Sequence, residues 1–322
     1  MSDSPLKSLA DALRGDQAAK ALKAKTLLPD NIDGSAPPMP NGLLIEAMDA
    51  MDVVPDQPRD NGKYIHVSSL SQLCPRAYAI REKYGETGVG LSTVDKGQRV
   101  VWSLGRAAEL HARLQLTLAF PEMAYGIWTC KCEKLRHTGV YSEAMEKQCH
   151  HCGGTLVNYE EVDLKNDDLY ITGHPDLLLL RNGVEFTVVE FKSINKAGFA
   201  KRKQHNRADG EHICQALTYR ETLRHRGHRV APYVVVIYVC KDFDWGVSPY
   251  LEFRAALRGG LKASVSAMED NAAAVVQWRN DPETLPPRIS ACYDNSASRA
   301  KGCGQCTLCF SLPNEQPLEP QE

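Results

Sequence analysis

Three groups of residues in this chain have the types and spacing of chemical sites. The first is a carboxylate–lysine set, Gly173-His174-Pro175-Asp176 followed by Val188-Val189-Glu190-Phe191-Lys192. Glu190 and Lys192 stand two apart in an apolar, β-rich run. On a strand both side chains share one face, and Phe191 takes the other, toward the core. A charged pair ending such a strand is costly to enclose unless it has partners. A divalent cation between Asp176 and Glu190 is such a partner, since Mg2+ or Mn2+ takes oxygen ligands and keeps several waters. A water acidified in this way can attack a phosphodiester. Lys192 would orient that water or offset charge building on the phosphate. The Glu-x-Lys triplet alone is common by chance and fits a solvated strand end equally well. The upstream Asp after a turn, and two flanking helices, shift the balance.

The other two groups are built from the eleven cysteines. Two-residue gaps in a reducing compartment point to metal rather than disulfides. Cys130 and Cys132, then Cys149 and Cys152, resemble a zinc ribbon, and four thiolates satisfy a closed tetrahedral Zn2+ site. The first pair is Cys-x-Cys, so His137, His150 or His151 could replace one thiolate. An insert of roughly 30 residues buries little apolar surface, so metal would supply its folding energy. The second group is Cys303, Cys306 and Cys309, with Cys292 upstream and Cys74 far away in Leu73-Cys74-Pro75-Arg76. Cys214 and Cys240 fall in apolar patterns and are read as core.

These residues need elements to hold them. Residues 94–119 predict a long helix carrying Gly105, Glu109 and His111. Tyr170–His174, Leu177–Leu180 and Val184–Lys192 predict strands. The last two are joined by Arg181-Asn182-Gly183, because Asn-Gly suits the positive φ of a hairpin turn. Residues 209–226 predict a helix with His212, Gln215 and Tyr219 on one face. Tyr233–Cys240 predicts a buried central strand, and residues 255–280 an Ala-rich helix. A helix starting at Ser68-Ser69-Leu70-Ser71 is expected to carry Cys74. This order predicts a mixed α/β domain.

Between Phe191 and Ala208 the chain has Lys192, Lys196, Lys201, Arg202, Lys203 and Arg207 and no acid. Alone, such a run is most simply a solvated basic loop. Beside a cation site it suits a phosphate backbone, with Phe199 and His205 available to stack on bases. The net charge of −2 means any basic surface is local. No run of eighteen apolar residues predicts a membrane span, no secretory signal is read, and a cytoplasmic setting is expected.

By order of motifs, residues 64–310 resemble the RecB-like branch of the PD-(D/E)XK nucleases. The motifs are Gly105-Arg106-Ala107-Ala108-Glu109, Asp176, Glu190-Phe191-Lys192 and Gln215 to Tyr219. The resemblance implies a restriction-endonuclease-like α/β core with a mixed sheet flanked by helices. It implies Mg2+ or Mn2+ on Asp176, Glu190 and the Phe191 carbonyl, with Lys192 catalytic. Gln215 and Tyr219 would orient the lysine or contact DNA. Many members have His where this chain has Glu109. Residues two apart on a helix face differently, so only one of Glu109 and His111 is a ligand. A carboxylate at this place is similar to lambda exonuclease, and that resemblance implies Glu109, with His111 the alternate.

Cys-Pro-Arg after a Ser-Leu-rich helix start is similar to the AddB nuclease domain and the CRISPR-associated RecB-like exonucleases. In those, one N-terminal and three C-terminal cysteines hold a [4Fe-4S] cluster. This implies Cys74, Cys303, Cys306 and Cys309 as its ligands here, closing the domain as a clasp. The last gap is shorter than in those proteins and Cys292 is extra. A second Zn2+ on Cys292, Cys303, Cys306 and Cys309, with Cys74 free, is the alternative.

The expected organisation is an N-terminal arm and linker (1–62), a nuclease domain (63–310) with a zinc-ribbon insert (125–160), and a polar tail (311–322). The implied activity is metal-dependent hydrolysis of DNA, by an exonuclease of single strands or ends in recombination or repair, possibly phage-encoded. Two other readings stand: a CRISPR-type trimming nuclease, and a non-catalytic DNA-binding or scaffold protein on the same fold. DNA is the expected partner, and the arm or the ribbon leaves room for a protein partner.

Overall fold

The computed structural model describes residues 64–84, 96–243, 247–292, 294, 296 and 303–313. The expected N-terminal arm and linker and the end of the polar tail lie outside the described residues.

In chain order the elements are β1 (Ile65–His66), α1 (Val67–Leu70), α2 (Pro75–Tyr84) and α3 (Lys96–Ala119). Then come β2 (Ala124–Cys130), β3 (Arg136–Val140), α4 (Tyr141–Met145), β4 (Leu156–Glu160) and β5 (Leu164–Asn166). They are followed by β6 (Ile171–Gly173), β7 (Leu177–Arg181), β8 (Glu185–Ile194), α5 (Lys196–His205) and α6 (Gly210–His225). The chain closes with β9 (Arg229–Val230), β10 (Tyr233–Cys240), β11 (Tyr250–Ala256), α7 (Gly259–Asn280) and α8 (Cys306–Ser311). The result is a mixed α/β fold, as the sequence pattern predicts.

The main sheet runs β11-β10-β8-β7-β2-β3, with β4 also on β2 and β9 also on β8. β8 lies parallel to β10 and antiparallel to β7. The crossover from β8 to β10 passes through α5 and α6, as a parallel pair requires. A small sheet, β1-β6-β5, stands apart. The hairpin turns at Asn182 and Gly183, whose φ values are 51° and 69°. Asn and Gly are the residues that adopt this left-handed conformation most readily.

Alternation along β8 sorts its side chains onto two faces. Val188 packs with Leu217 and Leu223 of α6 and Val265 and Ala272 of α7. Val189 and Phe191 pack on the opposite face, with Ala112 of α3 and Trp128, Tyr141 and Leu156. Glu190 and Lys192 share the parity of Val188 and so face α6.

Several expectations are corrected. The helix expected over 255–280 begins at Gly259, because Tyr250–Ala256 pairs along β10 as a strand. Cys74 is not carried within a helix; Pro75 opens α2 directly after it, where proline's missing N–H costs nothing. The basic stretch is a helix rather than a loop: Asn195 Oδ1 accepts from the Gly198 N–H at 2.8 Å, and Asn206 ends α5 in the left-handed conformation. The cysteine-bearing segment forms strands of the main sheet itself. β3 lies along one side of β2, while on the other side β7 pairs with Ala124–Tyr125 and β4 with Ile127–Cys130.

Candidate active site and cysteine sites

Asp176 precedes β7, and Glu190 and Lys192 sit near the end of β8, the neighbouring strand. The Asp176 Oδ2 accepts from the Phe191 N–H at 2.7 Å. Its carboxylate is thereby turned toward Glu190. Glu190 is 1% exposed. Lys192 Nζ lies 2.6 Å from Glu190 Oε1 as an ion pair, and the buried Oε2 has no hydrogen-bond donor. A buried carboxylate with unused lone pairs is a cation ligand in chemical type.

α3 brings a third carboxylate. Its Gly105 lies against Ser193, where an added Cβ would stand 2.5 Å from Ser193 Oγ. That approach lets Glu109, one turn on, accept from the Ser193 N–H at 2.7 Å. His111 is exposed and turns to the Tyr250 hydroxyl at 3.1 Å. The structure thus brings Glu109, and not His111, to the end of β8.

α6 closes the site from the other face. Tyr219 is 1% exposed, so the expected contact of Tyr219 with DNA is not available. Its ring covers Gly173, where a Cβ would meet Tyr219 Cε1 at 2.7 Å. Gln215 Nε2 donates to its hydroxyl at 3.5 Å. Burial, then the Glu190 charge, holds the Tyr219 phenol well above its usual range, so it stays protonated. His212 accepts from or donates to the Tyr238 hydroxyl at 2.8 Å. Burial and the Lys192 charge bring its pKa down to about 4, so it is neutral.

The acids interact. Burial, then the charge of Glu190, raises the Asp176 carboxyl well above the usual carboxylate range. Burial pushes Glu190 up to about 7 against the opposing pull of Lys192, with Glu109 and Glu161 adding repulsion. The Glu190 value lies above its ordinary 4.5. Between those values the folded chain keeps a proton that the unfolded chain has released, so stability falls as pH rises across the window. With divalent cations removed, the thermal midpoint is expected to fall from about pH 5 to about pH 8 more steeply in wild type than in Glu190→Gln. Parallel curves for the two proteins would remove this account of Glu190.

The residues missed in the sequence are Arg113, Tyr159 and Glu161. Arg113 Nη1 meets Glu161 Oε1 at 2.8 Å and the Asp176 carbonyl at 3.2 Å. No motif marks them, because Arg113 on α3 lies far in sequence from Tyr159 on β4 and Glu161 just after it.

Along α5, Lys201, Lys203 and His205 are exposed, as are Lys196 at its start and Arg207 just after its end. Arg202 pairs with Asp209, so part of its charge is already used. Phe199 is 8% exposed and belongs to the core, which corrects its expected role in base stacking.

The thiols of Cys130, Cys132, Cys149 and Cys152 all lie within 4.8 Å of one another. Cys130 and Cys132 are 3.3 Å apart, and Cys132 and Cys149 3.6 Å. A tetrahedral Zn2+ spaces its thiolates by about 3.8 Å, given its bond length, so this group can hold a metal ion. The Leu135 N–H donates to Cys130 Sγ at 3.3 Å, and Gly153 makes the turn after Cys152 with φ +67°. His137 turns instead to Glu143, at 3.3 Å.

Cys74, Cys292, Cys303, Cys306 and Cys309 line a single cavity with Ala77, Ile289, Phe310 and Arg288. Among the described residues, no three of these thiols come within the 4.8 Å that marks the first group. Around them, Arg76 (0% exposed) donates to the carbonyls of Pro286, at 3.0 Å, Leu312, at 3.3 Å, and Pro313. Arg288 donates to the carbonyls of Cys309 at 2.9 Å and Leu312 at 3.0 Å. Of the residues that flank Pro75, Arg76 therefore binds the C-terminal segment and Cys74 lines a cavity with its cysteines. Cys214 and Cys240 are buried, as expected.

No described helix is long and apolar enough to cross a membrane. No family model and no curated protein matches this chain. Among solved structures it is similar to LHK-Exo in complex with dAMP, at 13% identity over 69% of this chain and 90% of that one, with a TM-score of 0.35. It is also similar to a candidate exonuclease from Eubacterium rectale, at 12% identity over 80% of this chain and 92% of that one, with a TM-score of 0.35. At that score neither likeness assigns an activity to this chain.

Proposed function

We propose that this chain is a metal-dependent DNA nuclease on the RecB-like PD-(D/E)XK plan, acting on single strands or DNA ends. The observation that carries the reading is the Glu190 carboxylate: buried, ion-paired to Lys192 through Oε1, its Oε2 without a hydrogen-bond donor, and faced by Asp176. A structural role alone gives no reason to bury two carboxylates whose charges repel. Asp176 and Glu190, with Glu109, would hold Mg2+ or Mn2+. The cation when bound would acidify a water and draw charge from the phosphate. Lys192 places an ammonium where charge builds on the scissile phosphate. Tyr219 and Gln215 fix that region from beneath.

The exposed basic residues of α5 follow β8 directly and suit a nucleic-acid backbone better than a small anion. Neutralising Lys201, Lys203 and Arg207 together is expected to lower DNA affinity and reduce the salt slope by about one unit per lost phosphate contact. An unchanged slope would show that α5 is only a solvated face.

The thiol group at Cys130, Cys132, Cys149 and Cys152 suits Zn2+ in donor set and spacing. The wider, apolar cavity of five cysteines suits a polynuclear cluster, which puts several atoms between its ligands. A [4Fe-4S] cluster on Cys74, Cys303, Cys306 and Cys309 is the proposed occupant.

The test is degradation of end-labelled and circular DNA, single-stranded and duplex, with Mg2+ or Mn2+, beside Asp176→Ala. Cleavage by wild type alone supports the reading, and the circular substrates separate end-dependent from internal cutting. No cleavage by wild type with its metals intact would overturn it and leave a DNA-binding or scaffold role.

A further inference from the structure

The Asp176 carbonyl is held by two side chains from distant elements. Tyr159 of β4 donates its hydroxyl at 3.1 Å, and Arg113 of α3 donates Nη1 at 3.2 Å. A carbonyl oxygen has two lone pairs, and here both are engaged. On the far side of the residue, Oδ2 is fixed by the Phe191 N–H. The carboxylate that faces Glu190 is thus set from its own main chain as well as from its tip.

The clamp is itself built. The Tyr159 ring lies on Gly126 of β2, where a Cβ would stand 2.1 Å from Cε2. Only a residue with no side chain leaves that space. The Arg113 guanidinium covers the ring, with Cζ 4.5 Å from its centroid, and Trp128 meets it edge-on at 5.0 Å. Glu161, two residues after Tyr159, takes Arg113 Nη1 at 2.8 Å and sets its direction. Arg113 lies one turn beyond Glu109 on α3, so one helix face serves both the third carboxylate and the clamp.

The geometry points to Arg113 and Tyr159 as positioning residues that set the Asp176 carboxylate for divalent-cation binding. This rests on the cation-site reading above. β4 delivers Tyr159, and β4 follows Cys149 and Cys152 directly. A metal held by those thiols would brace the start of the strand that delivers Tyr159.

Calorimetric titration with Mn2+, in the absence of DNA, tests this on four proteins: wild type, Asp176→Ala, Tyr159→Phe and Arg113→Lys. Thermal midpoints are measured alongside. Tyr159→Phe keeps the ring and removes one hydroxyl. Arg113→Lys keeps the charge and loses the planar guanidinium whose Nη1 donates to both Glu161 and the Asp176 carbonyl. Each is expected to raise the Mn2+ Kd about 3- to 10-fold, the size of one hydrogen bond, while cleavage at saturating Mn2+ changes by less than about threefold. A lowered thermal midpoint with an unchanged Kd in both would overturn the proposal and leave the clamp as packing. If Asp176→Ala binds Mn2+ as wild type does, the cation site is misplaced and the proposal falls with it. If the order of Kd values holds but wild type cuts no DNA, the nuclease reading fails and the clamp stands.

Discussion

Glu190→Gln is expected to lose DNA cleavage by about 10³-fold or more, and at the same time to gain stability in cation-free buffer. The two effects have one cause. Glu190 is buried, only its Oε1 meets a cation, and burial lifts its carboxyl to about 7. Ionising it in the folded chain at higher pH works against folding, by about 1–3 kcal/mol for a shift of this size. The amide removes that charge and also removes a cation ligand. Lys192→Ala should lose cleavage comparably but without the gain, because it takes away the positive charge that partly offsets Glu190. Cleavage rates and thermal midpoints of the two variants, at about pH 8 without divalent cation, check this pattern. Loss of stability in Glu190→Gln would mean the carboxylate is a structural partner rather than a held ligand. Retained cleavage in either variant would remove the site from the account.

The second large effect concerns the cavity of five cysteines. Protein purified without oxygen is expected to be brown and to carry about four iron atoms per chain beside one Zn2+. Cys306→Ala should lose the iron. It should also lower the thermal midpoint by roughly 10 °C, since tying residues this far apart in sequence contributes about 3–5 kcal/mol. Cys74→Ala should behave alike, and Cys292→Ala should keep its iron. The Cys74 and Cys292 variants separate the two ligand sets, because the alternative zinc site uses Cys292 and spares Cys74. Colourless protein with two Zn2+ per chain would establish that alternative. Arg76 sharpens the expectation, because its guanidinium already holds three carbonyls at the far end of the chain. Loss of the cluster leaves this bracing in place, so the fold is expected to loosen at 303–313 rather than to collapse.

Much of the site could be read from the sequence, for definite reasons. A period of two is enough to place Glu190 and Lys192 together and Phe191 in the core, and Asn182-Gly183 has a backbone preference that fixes the hairpin. Helix geometry limits the ligand to one of Glu109 and His111, and the choice of Glu109 rests on the family resemblance. What escaped was of another kind. β11 shows alternation in Leu251, Glu252, Phe253 and Arg254, but the following Ala255-Ala256 resembles the helix beyond and was read with it. Phe199 was taken for a surface aromatic because its basic neighbours hid a helix. Asn195 at the cap was the available signal, and once the stretch is helical one face must bury. Arg113, Tyr159 and Glu161 carry no local pattern at all. Their partners lie on other elements, and only the folded chain brings them to Asp176.

The cysteine-bearing strands do not hang from the sheet but belong to it. β2 is hydrogen-bonded to β7 as well as to β3 and β4. A deletion of 125–160 would therefore not trim an appendage. It would strip β7 of its partner on the side away from β8 and leave main-chain donors and acceptors unpaired at Leu178 and Leu179. Such an exposed edge recruits other strands, so the shortened protein should self-associate and precipitate rather than persist as a smaller soluble core. For anyone grafting or minimising this domain, the segment is part of the chassis.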